Sequence, residues 1–348
     1  MTSSNSDIAK ELNNLEKIIK NRQHLLIIVH TNPDPDAIAS ASVLKFIIEK
    51  QYNVKASIAY SGNIGRAENK AMVKELNIYM KQVNRIAWEK YDCIALVDTQ
   101  PGTGNNALPE DMKCHIVIDH HPLLPNSKKS ELSIVKPYIG VLATILIEWL
   151  REIEMDISPD LATALAYAIN SESQNLNRET NERDIQAYLY VYMRSNLRKL
   201  ARIMLPQLPR NYFIMVAKTL NRAITHRNLI CAHLNDVPTA EIIPEMADFL
   251  VRHKRISWSL CTGKFKDQLI ISLRSRNQSA NAGKVVKQLV SNPKTVGGHG
   301  MIAGGYINIA DKKNMEIQAL ENKLTDDFAI HFGYHDAVWK PLIESSTS

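Results

Sequence analysis

The sequence predicts an α/β protein, with an N-terminal domain built on an open parallel sheet and a smaller C-terminal α/β domain. Three observations carry that reading. Strand and helix signals alternate through the first half of the 348-residue chain, the pattern that winds a parallel sheet. Two near-continuous apolar runs, "DCIALVD" (92–98) and "HIVID" (115–119), have strand length and no polar face, as central strands buried on both sides require. From about residue 228 the pattern turns to several β-rich runs with one helix among them, which marks a second domain.

Taken in order, the polar N-terminus reads as a frayed tail and then a helix. Residues 25–30 ("LLIIVH") are the first strand, and 36–50 a helix with apolar residues at helical spacing. "NVKASIAY" (53–60) and "RAENKAMVKEL" (66–76) are the next strand and helix. After the two apolar strands, helices are expected at about 140–152 and 158–170. Residues 181–227 look mainly helical. In the second part, "NLICAHL", "ISWSLCTG", "QLIISLRSR" and "GGYINIA" are strands, and "NAGKVVKQLV" (281–290) is a helix. The domains are set at 20–195 and 228–340, with a helical connector over 196–227.

Hydrophobic residues make up 45% of the chain and charged residues 22%, the balance of a soluble globular protein. No apolar run is long enough to cross a bilayer. The N-terminal stretch lacks the apolar centre of a signal peptide, so the cytoplasm is the expected location. Cys93, Cys114, Cys231 and Cys261 show no CxxC spacing and read as reduced, buried thiols. The net charge of +6 is a mild hint of a polyanionic partner.

The chemistry concentrates at strand ends. The first strand runs into "HTNPDPDAIAS", which places His30, Asp34 and Asp36 together. The third strand ends at Asp98 and the fourth at Asp119, His120 and His121. In an open parallel sheet, ligands bind outside the carboxyl ends of the strands, so these groups should face one crevice. Carboxylates mixed with imidazoles suit manganese, iron or zinc, and magnesium more weakly. Two neighbouring cations need a shared carboxylate, and Asp98 could be that bridge. Such a pair activates water and stabilises charge at phosphorus. Each residue alone has a plainer reading. Asp34 could cap the helix that follows it, Asp119 could cap a loop, and a single strand-end histidine is commonly structural.

The motifs "HTNPDPDAIAS", "LVDTQ" and "IVIDHHP", in this order, resemble the DHH phosphoesterase superfamily. That superfamily includes the RecJ exonuclease, family II pyrophosphatases and nanoRNases. "VGGHGMIAGG" (296–305) resembles the glycine-rich signature of the DHH-associated domain of the RecJ and nanoRNase branch. The resemblance implies that His30 and Asp34 bind one cation, that Asp36 and His120 bind the other, and that Asp98 bridges them. It implies that Asp119 orients a ring of the histidine pair. His121 would face the scissile phosphate as proton donor or charge partner. A fourth carboxylate, an Asp in the family, falls in "AINSESQNLNRE" at Glu172, one methylene longer. The implied cofactors are two divalent cations, Mn²⁺ first, with Mg²⁺, Co²⁺ or Fe²⁺ as other candidates.

Five glycines within nine residues, among them Gly298, Gly304 and Gly305, let backbone N–H groups approach a phosphate. His299 projects from the same run. Arg274 and Arg276 in "SLRSR" suit bidentate phosphate contacts. A glycine-rich turn with two solvated arginines is the plainer alternative. Arg66 and Asn69 read equally as substrate contacts or as a plain helix start. The resemblance implies hydrolysis of short oligoribonucleotides or dinucleotides to 5′-mononucleotides, and removal of the 3′-phosphate of adenosine 3′,5′-bisphosphate. A phosphoanhydride hydrolase of the pyrophosphatase or polyphosphatase type is the near alternative. A nucleotide-binding protein with impaired catalysis is the more distant one, favoured only by Glu172. The expected partners are short oligoribonucleotides or small phosphorylated nucleotides, with no membrane. Family members often pair, so a homodimer is an expectation that no residue here localises.

Overall fold

The structure is a computed structural model that describes residues 5–176 and 180–343. The chain forms two compact units, divided between Gln207 and Leu208.

The first unit contains strands β1 (His24–Val29), β2 (Lys55–Tyr60), β3 (Lys81–Gln82), β4 (Cys93–Val97), β5 (Ile116–Asp119) and β6 (Leu132–Val135). They form one sheet in the order β3-β2-β1-β4-β5-β6, parallel throughout. The helices are α1 (Asn5–Ile19), α2 (Pro35–Gln51), α3 (Ala67–Glu75), α4 (Leu142–Glu152), α5 (Pro159–Glu172), α6 (Glu182–Tyr192) and α7 (Leu197–Met204). The chain runs outward from β1 to β3, crosses back to β4, and runs outward again to β6. β1 and β4 are therefore adjacent, paired from Leu25↔Cys93 to Val29↔Val97. Their carboxyl ends form the switch point at which such sheets open a crevice.

Every residue of β4 is buried, as its unbroken apolar run requires. α2 is covered on almost all sides and touches α4 and α5. α1 turns Ile8, Leu12, Leu15 and Ile19 into the core at helical spacing. Its Glu11 accepts from Lys136 Nζ, just after β6, at 2.8 Å and from Trp149 Nε1 on α4 at 3.0 Å.

The second unit comprises α8 (Arg210–Arg222), β7 (Ile224–His226), β8 (Leu229–Asp236), α9 (Ile242–Leu250), β9 (Trp258–Phe265), β10 (Gln268–Ser275), α10 (Ala282–Leu289), β11 (Val296–His299), β12 (Ile302–Asn308), α11 (Asn314–His331) and β13 (Lys340–Pro341). Its sheet has the order β11-β12-β10-β9-β8-β7-β13. It is antiparallel except for the parallel pair β8–β9. Alternation along β8 sends Leu229 and Cys231 into a core shared with α10 and α11. Ile230, Ala232 and Leu234 point into a second core with α8 and α9.

The predicted strands and helices of the first half occur within two residues of their expected limits. The short strands β3, β6, β7, β11 and β13 and the helices α9 and α11 were not expected. α11 escapes a periodicity reading because Glu321 and Thr325 sit on its buried face between Ile317, Leu324 and Phe328. Residues 196–227 are shared between the units: α7 touches α3 and α5, and α8 touches β8. All four cysteines are buried free thiols. Among the described residues, no helix is long and apolar enough to cross a membrane.

Candidate metal centre

Three strand ends converge as the sequence predicts. The register sets Val29 beside Val97, and Val97 beside Ile118, so the residues that follow leave the sheet side by side. Asp98 is 3% exposed and occupies the left-handed region with φ of 60°. That conformation is uncommon outside glycine and best tolerated by Asp and Asn. It is held by the Asp98 N–H donating to the Ile118 carbonyl at 3.0 Å. It turns the carboxylate into the crevice.

Asp98 Oδ2 lies 3.6 Å from His30 Nε2, and that nitrogen lies 3.5 Å from Asp34 Oδ2. Asp98 Oδ1 lies 3.5 Å from His120 Nε2 and 3.7 Å from His121 Nδ1. Two groups of three donors result, His30–Asp34–Asp98 and Asp98–His120–His121, with Asp98 in both. These separations are long for hydrogen bonds. They are close to the spacing of two ligands on one cation, roughly 3 to 3.5 Å when each metal–ligand bond is about 2.1 Å. Asp98 Oδ1 is buried without a hydrogen-bond partner, a costly state for a carboxylate oxygen that a cation would relieve. The donor set therefore fits a pair of divalent cations.

Asp34 acts as the helix cap and also faces the crevice. Its Oδ1 accepts from the Ala37 N–H at 3.0 Å and caps α2, while Oδ2 faces His30. Asp36 stands inside the first turn of α2 and is 1% exposed. Its oxygens accept from the Leu142 and Ala143 N–H groups, at 2.6 and 2.8 Å, at the start of α4. Asp119 Oδ1 accepts from the His120 and His121 backbones, and from His121 Nδ1 at 2.8 Å. Glu172 ends α5, near enough for its charge to raise both His120 and His121.

The electrostatics are those of crowded, buried like charges. Burial, and then the neighbouring Asp98 carboxylate, push Asp36 up to about 7. Burial and Asp34 push Asp98 up to about 6. Burial disfavours the His30 cation, but Asp34 and Asp98 outweigh it and raise the ring to about 10. Asp34 falls to about 2, because His30 outweighs its burial. The hydrogen bond that the His121 ring donates to Asp119 raises His121 to about 9. The cluster holds protons where cations would otherwise balance it.

The expectations for the second unit need correction. Arg274 is 7% exposed and turned inward. Its Nε donates to Asp248 Oδ1 at 2.5 Å, and its Nη1 to the carbonyls of Leu273 and Ala303. It braces β10 against β12 and α9 and does not offer a fork to phosphate. Arg276 follows β10 and is exposed. The glycine run is a hairpin: β11 pairs with β12 from Val296↔Gly305 to His299↔Ile302. Gly298 and Gly305 serve close packing. A Cβ on Gly298 (φ 151°) would lie 2.3 Å from the Ile302 oxygen, and one on Gly305 (φ 158°) 2.2 Å from the Thr295 oxygen. The His299 side chain lies outside the described part of the structure. Asn69 is buried against Tyr167, whose hydroxyl donates to it at 3.2 Å, and Arg66 stands at the N-cap of α3. Gln100, fully buried and bonded to Asp119, was not singled out from the sequence.

Residues 24–169 match the model of the DHH family, N-terminal domain. The first unit thus carries a DHH family N-terminal domain. An uncharacterized protein of Methanocaldococcus jannaschii is 33% identical over 305 residues, 87% of this chain and 62% of that protein. A probable manganese-dependent inorganic pyrophosphatase of Lactobacillus gasseri is 26% identical over 156 residues, 44% of this chain and 49% of that protein. The matched parts thus span less than two thirds of these relatives. In fold, the chain is similar to an exopolyphosphatase-related protein from Bacteroides fragilis, with TM-score 0.73, 14% identity, and 92% and 97% of the two chains covered. It is also similar to RecJ of Thermus thermophilus in complex with Mn²⁺, with TM-score 0.51, 10% identity, and 94% and 54% covered.

Proposed function

We propose that this chain is a divalent-cation-dependent phosphoesterase that hydrolyses short oligoribonucleotides and dinucleotides to 5′-mononucleotides, with adenosine 3′,5′-bisphosphate as a further substrate. The observation that carries the reading is the buried Asp98 carboxylate, with one oxygen facing His30 and Asp34 and the other facing His120 and His121.

In this reading His30 and Asp34 hold one cation, Asp36 and His120 the other, and Asp98 both, with Glu172 reaching the second. Manganese leads the candidates, as in the related manganese-dependent pyrophosphatase and the RecJ complex with Mn²⁺. When bound, the pair would supply an activated water and counter-charge at phosphorus. The chain's own residues do the rest. Asp119 accepts from His121 Nδ1 and leaves Nε2 as the atom able to pass a proton to the departing sugar oxygen. Asp36, gripped by the α4 backbone, keeps one carboxylate fixed while the cluster's charge changes. The second unit, on which Arg276 is exposed, is the substrate-binding domain of this reading.

The pyrophosphatase relative favours phosphoanhydride hydrolysis as a second reading. One assay separates the two. The protein with added Mn²⁺ is offered pApA, adenosine 3′,5′-bisphosphate, a cyclic dinucleotide, pyrophosphate and a longer single strand. Release of AMP from pApA, and slow or no release from the long strand, is the expected result. Turnover of pyrophosphate alone would establish the second reading instead.

A further inference from the structure

We infer that Gln100 is a positioning residue for His121, acting through Asp119. The inference rests on the phosphoesterase reading for its kinetic consequence but not for its geometry. Gln100 stands two residues beyond Asp98 and is 1% exposed. Its carboxamide uses its whole hydrogen-bonding capacity. Nε2 donates to Asp119 Oδ2 at 2.6 Å and to the Pro122 carbonyl at 3.1 Å. Oε1 accepts from the Leu124 N–H at 2.8 Å and from Ser127 Oγ at 2.7 Å. Two donors and two acceptors meet the right partners, so the amide orientation is fixed by chemistry.

The consequence falls on Asp119. Its Oδ1 already accepts three N–H groups from His120 and His121, including the His121 ring. Gln100 engages the other oxygen and stops the carboxylate from rotating about its terminal bond, a torsion that is soft on its own. The His121 ring is thereby held in one orientation, although the residue is nearly half exposed. The same amide binds the loop after β4, which carries Asp98, to the loop after β5, which carries the histidines. The loop after β4 is in turn tied to the loop after β1, because Thr31 N–H donates to the Asn105 carbonyl at 2.5 Å. Any chain that orders a catalytic imidazole through a carboxylate needs such a support.

The test uses two variants of the full chain. Gln100→Met removes all four bonds at similar volume. Gln100→Glu keeps the acceptor for Leu124 and Ser127 and removes both donated bonds, to Asp119 and to the Pro122 carbonyl. In proton NMR of the metal-free protein, the His121 ring N–H bonded to Asp119 should give a downfield signal, identified by its loss in His121→Ala. That signal should vanish or broaden in both Gln100 variants. In kinetics, kcat should fall about 10- to 100-fold with KM changed less than about threefold. In the His121→Ala background, Gln100→Met should cost nothing further. Retention of the downfield signal in both variants overturns the inference. So do losses that multiply in the double variant. If the wild-type chain turns over no phosphoester, the proposed function fails, and the NMR comparison alone decides the role of Gln100.

Discussion

In the second unit, His233, Thr262, Glu321 and Thr325 form a buried chain whose links measure 2.6 to 2.8 Å. In the first unit, Asp98 lies 3.5 to 3.7 Å from three imidazoles, and one of its oxygens has no hydrogen-bond partner. Both clusters bury titratable groups, yet they settle the cost differently. Burial lowers His233 to about 4, which keeps its ring uncharged, and raises Glu321, while each link of the second cluster is a short hydrogen bond. In the first, Asp34 and Asp98 face three imidazoles at 3.5 to 3.7 Å, too long for direct bonding. A satisfied polar cluster explains a fold. An unsatisfied one in a crevice points to something that binds there.

The comparison breaks most sharply at Asp98. Asp98→Asn tolerates the left-handed backbone and removes the shared charge. Phosphoester turnover should fall roughly 1,000-fold or more, the scale on which indispensable active-site groups act. The melting temperature of the metal-free variant should not drop, because a buried repulsion is relieved. Activity within tenfold of wild type would remove Asp98 from the bridging role.

Next in size is cation binding itself. Mn²⁺ at about 100 times its Kd should stabilise the chain by about 2.7 kcal/mol, read as a calorimetric shift against EDTA. The increment should grow with pH. Asp36 and Asp98, raised to about 7 and about 6, disfavour the metal-free fold as pH climbs through those values. His30 and His121, raised to about 10 and about 9, contribute fully below 6.5, and that contribution is lost as pH rises through their folded values. A Mn²⁺ shift that shrinks with pH would contradict this electrostatic account.

Arg274→Ala addresses the satisfied side of the comparison. It breaks a largely buried pair with the partly exposed Asp248 and should cost about 2 kcal/mol. The Mn²⁺-induced stabilisation should survive. A changed KM without loss of stability would return Arg274 to substrate binding. The smallest effect is expected at Glu172→Asp, which shortens the side chain and should alter turnover by at most about tenfold, or about 1.4 kcal/mol. No change under any cation would place Glu172 outside the cation site.

The legible features were those written in contiguous sequence. His30, Asp98 and Asp119–His121 each follow an apolar run directly, so strand direction alone gathers them. Asp34 was legible twice, as cap and as acid. Gln100 was not, because a buried carboxamide leaves no periodic mark and its four partners lie 19 to 27 positions away. Arg274 was misjudged because sequence does not reveal which way a strand-end guanidinium turns. The glycine run was recognised, but its steric purpose depends on neighbours such as the Thr295 and Ile302 carbonyls.

The grip of Glu11 on Lys136 and Trp149 bears on how the chain could be shortened. The family match begins at residue 24, downstream of the whole helix that carries this carboxylate. A fragment trimmed to the match would strand a lysine ammonium that is 6% exposed and lay bare the apolar seat of Leu15 and Ile19. The autonomous folding unit is therefore wider than the recognisable motif, and protease-resistant fragments should retain the leader helix.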